Sequence, residues 1–240
     1  MTMQTIQHQQ MGYDRAITMF SPDGRLLQVE YAKKTVKQGS TAIGVTTADG
    51  VILMTDKRIV DTLVVSGAVE KIFEIDSHII CTAAGILPDA RVLVERAQVK
   101  AQQHAVTYDT PVETITIVKD LTGLMQLTTQ SGGYRPFGVS MLIAGIDSDG
   151  AKLYVTDPVG VYNLYRAAAI GERQEEAEDI LRKEWKANLK HEDGLKLAAS
   201  VLKRVLPDVI TAERIDCAFV NSKTNKLTRL SNEEIAKLLK

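Results

Sequence analysis

Asp49-Gly50 separates two short runs of strand-forming residues, 41–46 and 51–55, and this arrangement constrains the fold more than any other stretch. A two-residue connection needs backbone with positive φ, which Asp-Gly adopts readily, so the two runs are expected to pair as an antiparallel hairpin. Asp149-Gly150 and Asp157-Pro158-Val159-Gly160 punctuate a second series of strands predicted over 139–146, 153–155 and 161–165. A last hairpin is predicted from 215–221 and 226–230, and weaker strand signals cover 63–65 with 72–75, and 79–84. Between these groups the apolar period lengthens. Leu87, Ala90, Val94, Ala97 and Ala101 step by three and four along one helix face, with Pro88 and Asp89 in its first turn. Thr110-Pro111-Val112-Glu113 has the form of a capping box with proline at the first helical position, which predicts a second helix to about residue 129. Another pair is predicted over 174–188 and 193–206, where Glu178/Arg182 and Asp179/Lys183 make a solvated charged face. Ser21-Pro22-Asp23 and Gly39 bracket a helix over 21–39 whose buried face is Leu26, Val29, Ala32 and Val36, and Ser231 with Glu234 caps a short terminal helix. Strand groups alternating with helix pairs imply an α+β fold of stacked sheets with helices outside.

Composition narrows the partners. Lysine plus arginine number 29 against 30 acidic residues, and a net charge of -1 gives no electrostatic reason to expect nucleic acid or an anionic membrane. The longest apolar stretch, 141–146, falls far short of the roughly 20 residues that span a bilayer. Residues 1–10 contain no lysine or arginine and no apolar run, so neither a secretory nor a transit signal is read there, and a cytoplasmic protein is expected. Cys81 and Cys217 lie in apolar segments and read as buried, reduced thiols. His8, His78, His104 and His191 are scattered without a ligand motif, so no metal is expected; phosphate-loop and nucleophile-elbow motifs are absent, and no cofactor is expected. Residues 1–12, with Gln4, Gln7, Gln9 and Gln10, read as a mobile segment ahead of one domain over 13–240. Ser131-Gly132-Gly133-Tyr134-Arg135 reads as a tight exposed turn. No catalytic constellation declares itself from residue types alone.

Tyr13-Asp14-Arg15-Ala16-Ile17-Thr18, Phe20-Ser21-Pro22-Asp23-Gly24-Arg25-Leu26 and Gln28-Val29-Glu30-Tyr31-Ala32 closely resemble the N-terminal signature of proteasome alpha subunits, particularly archaeal ones. The resemblance continues through Gly39-Ser40-Thr41-Ala42-Ile43-Gly44, Asp56-Lys57, Glu70-Lys71-Ile72, Asp89-Ala90-Arg91-Val92-Leu93 and Arg135-Pro136-Phe137-Gly138, and covers most of the chain. It implies the four-layer α-β-β-α sandwich of N-terminal nucleophile hydrolases, in a subunit without catalytic residues of its own. Such a subunit forms the outer heptameric rings of the 20S core particle. It gates entry of unfolded protein substrates, docks the C-terminal tails of a regulatory AAA ATPase, and leaves catalysis by threonine to beta subunits.

The resemblance also assigns residues. Residues 1–12 match the gate, and Tyr13, Asp14, Pro22 and Tyr31 match the positions that hold it open. Lys71 matches a pocket lysine that pairs with the carboxylate of an incoming tail, with Gly85, Ile86 and Leu87 as pocket wall. Gly132, Gly133, Tyr134 and Arg135 match the pore annulus. Ser131 departs from an aromatic in some relatives, Tyr134 from a small residue, and Lys33 from an arginine. An alternative is a hydrolase activated by cleavage before Ser40, which aligns with the catalytic threonine while Asp56 and Lys71 align near its acid and lysine. An internal Ser40 lacks the free α-amine that serves such a nucleophile as base. A helix over about 25–38 would also obstruct the equivalent cleft. A third reading, a stand-alone peptide-binding scaffold, predicts a monomer.

Overall fold

The structure, a computed structural model, describes residues 11–13, 15–59, 63–207 and 210–239. Both Asp-Gly connections form hairpins. Strand β1 (Ala42–Thr47) pairs antiparallel with β2 (Gly50–Asp56) from Thr47↔Gly50 to Ala42↔Thr55. Likewise β5 (Val139–Asp147) pairs with β6 (Gly150–Thr156) from Asp147↔Gly150. The remaining strands are β3 (Ile72–Asp76), β4 (Ile79–Gly85), β7 (Tyr162–Leu164), β8 (Ala167–Ile170), β9 (Ile215–Asn221) and β10 (Lys226–Arg229). They build two five-stranded antiparallel sheets, ordered β10-β9-β2-β1-β8 and β3-β4-β5-β6-β7.

Alternation along the strands explains the stacking. Val51 and Leu53 of β2 face Leu142 and Ala144 of β5 in an apolar layer between the sheets. Ile52 and Met54, one residue on, turn outward under helices α4 (Gln174–Glu184) and α5 (His191–Val205), where Leu181, Leu195 and Leu202 cover them. On the far side Met141 and Ile143 of β5 pack beneath α2 (Leu87–Tyr108) and α3 (Thr114–Gln130), against Leu93, Leu121 and Met125. The result is the expected four-layer α-β-β-α sandwich. Two further helices, α1 (Leu27–Gln38) and α6 (Asn232–Leu238), lie outside these pairs. The Ser231 capping box forms as predicted, with the Glu234 amide donating to the Ser231 hydroxyl and the Glu234 carboxylate accepting from the Ser231 amide.

Several expectations need correction. Residues 63–65 form no strand: Leu63 and Val65 are exposed, and the Ala68 amide bonds back to the Val65 carbonyl in the turn around Ser66-Gly67. Helix α1 begins at Leu27 rather than near 21, because Ser21 to Gly24 close a separate turn in which Gly24 takes a positive φ. The Thr110–Glu113 capping box is not made. Helix α3 starts at Thr114, whose amide and hydroxyl both donate to Asp147 at 2.9 and 2.6 Å, so the cap comes from the end of β5. Helix α4 stops at Glu184, where Trp185 leaves to donate its indole N–H to the Thr46 carbonyl at 3.1 Å. Strand β8 carries no clear signal in the sequence; its alanines have weak strand propensity and are held by pairing with β1.

Cys81 and Cys217 are buried free thiols, each with its pKa pushed well above the ordinary value by burial. Among the described residues no helix is long and apolar enough to cross a membrane, and no group of three or more His, Cys, Asp or Glu side chains is placed to hold a metal ion.

Candidate functional site

Ser40, Asp56 and Lys71 are brought together at the ends of β1, β2 and β3. The Ser40 hydroxyl and the Lys71 ammonium both donate to the main-chain carbonyl of Asp56, at 2.8 and 3.2 Å. The Asp56 carboxylate, fully buried, faces the other way. It accepts two guanidinium N–H groups of Arg214 at 2.7 and 2.9 Å and the Arg58 amide at 2.9 Å. The three residue types thus share one spot, but the acid is committed to an arginine and the hydroxyl to a carbonyl.

The surroundings close the spot further. Ser40 is buried, and its nitrogen is a peptide nitrogen bonded to Gly39. The Gly39 carbonyl accepts the Glu172 amide at 2.7 Å, and Thr41 donates its hydroxyl to the Glu172 carbonyl at 2.7 Å. Val36, near the C-terminus of α1, inserts into the layer between the sheets, so this helix occupies the mouth of the sandwich. A serine acting as an N-terminal nucleophile needs a free amine and an open approach. Neither is available to Ser40 in the intact chain.

Lys71 is nearly buried, and burial lowers its pKa to about 8; the Asp56 charge opposes this and Arg58 adds to it. The register Ile72↔Thr82 runs Lys71 past the start of β3 beside the end of β4, where Gly85 closes the strand. Gly85 has φ +120, and a β-carbon there would lie 2.1 Å from the Gly138 carbonyl oxygen, so only glycine fits this approach. Ile86 is half-buried and donates its amide to Gly138 at 3.0 Å, while Leu87 is exposed. Lys71 and 85–87 therefore lie at one end of the second sheet.

The turn 131–135 follows α3. The Ser131 amide bonds to the Leu127 carbonyl, Gly133 takes φ +92, and Gly132, Gly133 and Tyr134 are exposed. Arg135 is exposed as well, and unlike these three it is tied down: its guanidinium grips both oxygens of Asp89 at 2.6 Å each. Tyr13 and Tyr31 are half-buried, Lys34 lies 5.3 Å from the Tyr31 ring, and Pro22 is exposed in the Ser21–Gly24 turn. Asp14 and residues 1–10 lie outside the described residues. Lys33 pairs within the chain with Asp157 at 3.3 Å.

Two family models match this chain. One describes the N-terminal signature of A-type proteasome subunits and matches residues 13–34, and the other, for proteasome subunits in general, matches residues 36–220. The chain belongs to the proteasome alpha-subunit family. Among curated proteins, the proteasome alpha subunit of Pyrococcus horikoshii is 46% identical over 230 residues, which is 96% of this chain and 88% of that one. That of Methanopyrus kandleri is 43% identical over 231 residues, 96% and 94% of the two chains, and that of Methanocaldococcus jannaschii is 43% identical over 227, 95% and 87%. Membership of the alpha family agrees with the closed Ser40 site: the alpha type is the non-catalytic kind of proteasome subunit, and no catalytic role is supported for this chain.

Nothing local in the sequence marks Arg214 as the partner of Asp56. This arginine lies far along the chain from Asp56, in a one-turn segment before β9, and only the β2–β9 pairing brings the two together.

Proposed function

We propose that this chain forms the outer heptameric rings of a 20S core particle, occludes the axial opening with residues 1–12, admits unfolded protein substrates through it, and docks regulatory ATPase tails. The observation that carries the reading is the sealed Ser40 site: a nucleophile-hydrolase scaffold whose serine is internal, buried and hydrogen-bonded to a carbonyl serves architecture rather than peptide cleavage. Catalysis then falls to beta subunits stacked on the alpha ring. Tyr13, Asp14, Pro22 and Tyr31 brace the gate, and Gly132, Gly133 and Tyr134 present the narrow opening beneath it.

Lys71 is the docking cation of this proposal: in the chain by itself its ammonium is buried and donates to the Asp56 carbonyl, so docking requires it to turn from that carbonyl toward the incoming tail. A buried ammonium with a depressed pKa and a neutral carbonyl as its acceptor is held at a cost to stability, which favours a role in binding. Gly85, Ile86 and Leu87 supply the adjoining wall, where the exposed Leu87 offers apolar contact to the last side chains of a tail. A terminal carboxylate pairs only with the protonated lysine.

Native mass spectrometry of the chain alone and mixed with an archaeal beta subunit, with peptide hydrolysis measured alongside, tests the proposal. Rings that are inert alone and belong to an active particle after mixing support it. A monomer under both conditions supports the stand-alone scaffold, and hydrolysis by a chain trimmed to begin at Ser40 supports the hydrolase.

A further inference from the structure

The turn 131–134 packs little against the rest of the chain. A β-carbon built on Gly132 or Gly133 would meet nothing within 4 Å, and Tyr134 is two-thirds exposed, at 67%. Its first leg is held by the end of α3, through the Ser131 amide on the Leu127 carbonyl. Its second leg belongs to no helix or strand until β5 begins at Val139.

What holds the second leg is the start of α2. The Asp89 carboxylate, 10% exposed, accepts both Arg135 N–H groups at 2.6 Å and the Gly138 amide at 2.9 Å. Arg135 also donates to its neighbour, the Pro136 carbonyl, at 3.0 Å. The Gly138 carbonyl in turn accepts the Ile86 amide and the Thr35 hydroxyl, both at 3.0 Å. Residues 86–89 thus grip residues 135–138 by both main-chain groups of Gly138 and by a two-toothed ion pair. Such paired charge-assisted bonds fix direction as well as distance.

We propose that Arg135 and Asp89 form a positioning clamp that sets the geometry of the turn 131–134, the exposed Arg135 side chain fixing the second leg of the turn through Asp89. The inference rests on the reading that this turn borders the substrate opening. Because Asp89 lies two residues beyond Leu87, in the same first turn of α2, the clamp makes the docking wall and the turn parts of one hydrogen-bonded unit.

The test uses full-length chains assembled with an archaeal beta subunit. Arg135→Ala, Arg135→Lys, Asp89→Asn and the double variant Asp89→Asn with Arg135→Ala are compared with Tyr134→Ala, which alters the turn while sparing the clamp. Two quantities are read: amide hydrogen exchange at residues 132–138, and the rate of degradation of an unfolded protein relative to a short peptide. Loss of the clamp is expected to speed exchange about tenfold and to change the degradation ratio about threefold. Asparagine at 89 keeps an oxygen for the Gly138 amide but loses the ion pair, so Asp89→Asn and Arg135→Ala should have the same effect, the double variant no more than either, and Arg135→Lys an intermediate one. If Tyr134→Ala changes the ratio while Arg135→Ala and Asp89→Asn leave ratio and exchange unchanged, the clamp is refuted and the pore reading stands. If none of the variants, Tyr134→Ala included, changes the ratio, the pore reading fails with it. Should Arg135→Ala prevent assembly, Arg135→Lys and Asp89→Asn decide the matter by the same two readouts.

Discussion

Lys71 and Asp89 show how two buried charges in one region answer differently to pH. The folded value for Lys71, about 8, lies below its ordinary 10.5, so between these limits the unfolded chain binds more protons and stability rises with pH. Below about 8 the penalty of the buried ammonium is present in full. Lys71→Met should therefore raise stability at pH 7 by about 3 kcal/mol in chemical denaturation while abolishing binding of a tail peptide. Binding of that peptide to assembled rings of the unaltered chain should weaken about tenfold per pH unit above about 8, as calorimetry would detect. Asp89 has the opposite sign. Burial alone would raise its pKa, but hydrogen bonds from Arg135 and Gly138 outweigh it and the net shift is downward. Its stabilising contribution is present above the unfolded value and is lost as pH falls through the folded one, so acid should loosen the turn 131–138 in hydrogen exchange before the sheets respond. For Asp56 the partner is Arg214, and Arg214→Ala leaves a fully buried carboxylate without its two guanidinium bonds; a loss of about 3–5 kcal/mol in stability is expected.

At the scale of elements, what was legible in the sequence was local. The two Asp-Gly hairpins, the stepping of Ala90, Val94, Ala97 and Ala101 along α2, and the Ser231 cap depend on neighbours a few residues away, and each forms where expected. The misplaced features depend on distant partners. Asp147 caps α3 from across 33 residues, displacing the Thr110–Glu113 box, and β8 exists because Ala167 to Ile170 find the open edge of β1. The same division holds in the candidate site: Ser40, Asp56 and Lys71 could be named by resemblance, whereas the turning of Asp56 to Arg214 and of Arg135 to Asp89 required the sheets to be assembled. Close approach of β4 to β5 gives the element-scale prediction. At Gly85 both the positive φ and the 2.1 Å approach to the Gly138 carbonyl exclude a side chain, so Gly85→Val should lower the thermal midpoint by several degrees and loosen amide protection along β4 and β5.

In the whole molecule, three apolar layers account for the rigidity that a ring component needs. Each sheet is covered on both faces, and helix α1 closes the mouth through Val36, so the sandwich that could house a nucleophile is instead filled. Loss of a central residue such as Leu142 should cost about 2–5 kcal/mol, measured by denaturant unfolding, without creating or removing any activity in the chain alone. Under the function proposed above, this subunit controls entry and does not cut. The measurement that tests it most directly is hydrolysis of a peptide by particles assembled with an archaeal beta subunit, comparing the full chain with one beginning at Tyr13, and running each alpha chain by itself. No hydrolysis is expected from either alpha chain alone, and faster hydrolysis is expected from particles carrying the shortened chain. Hydrolysis by the alpha chain alone, or equal rates from the two kinds of particle, would contradict the proposed function.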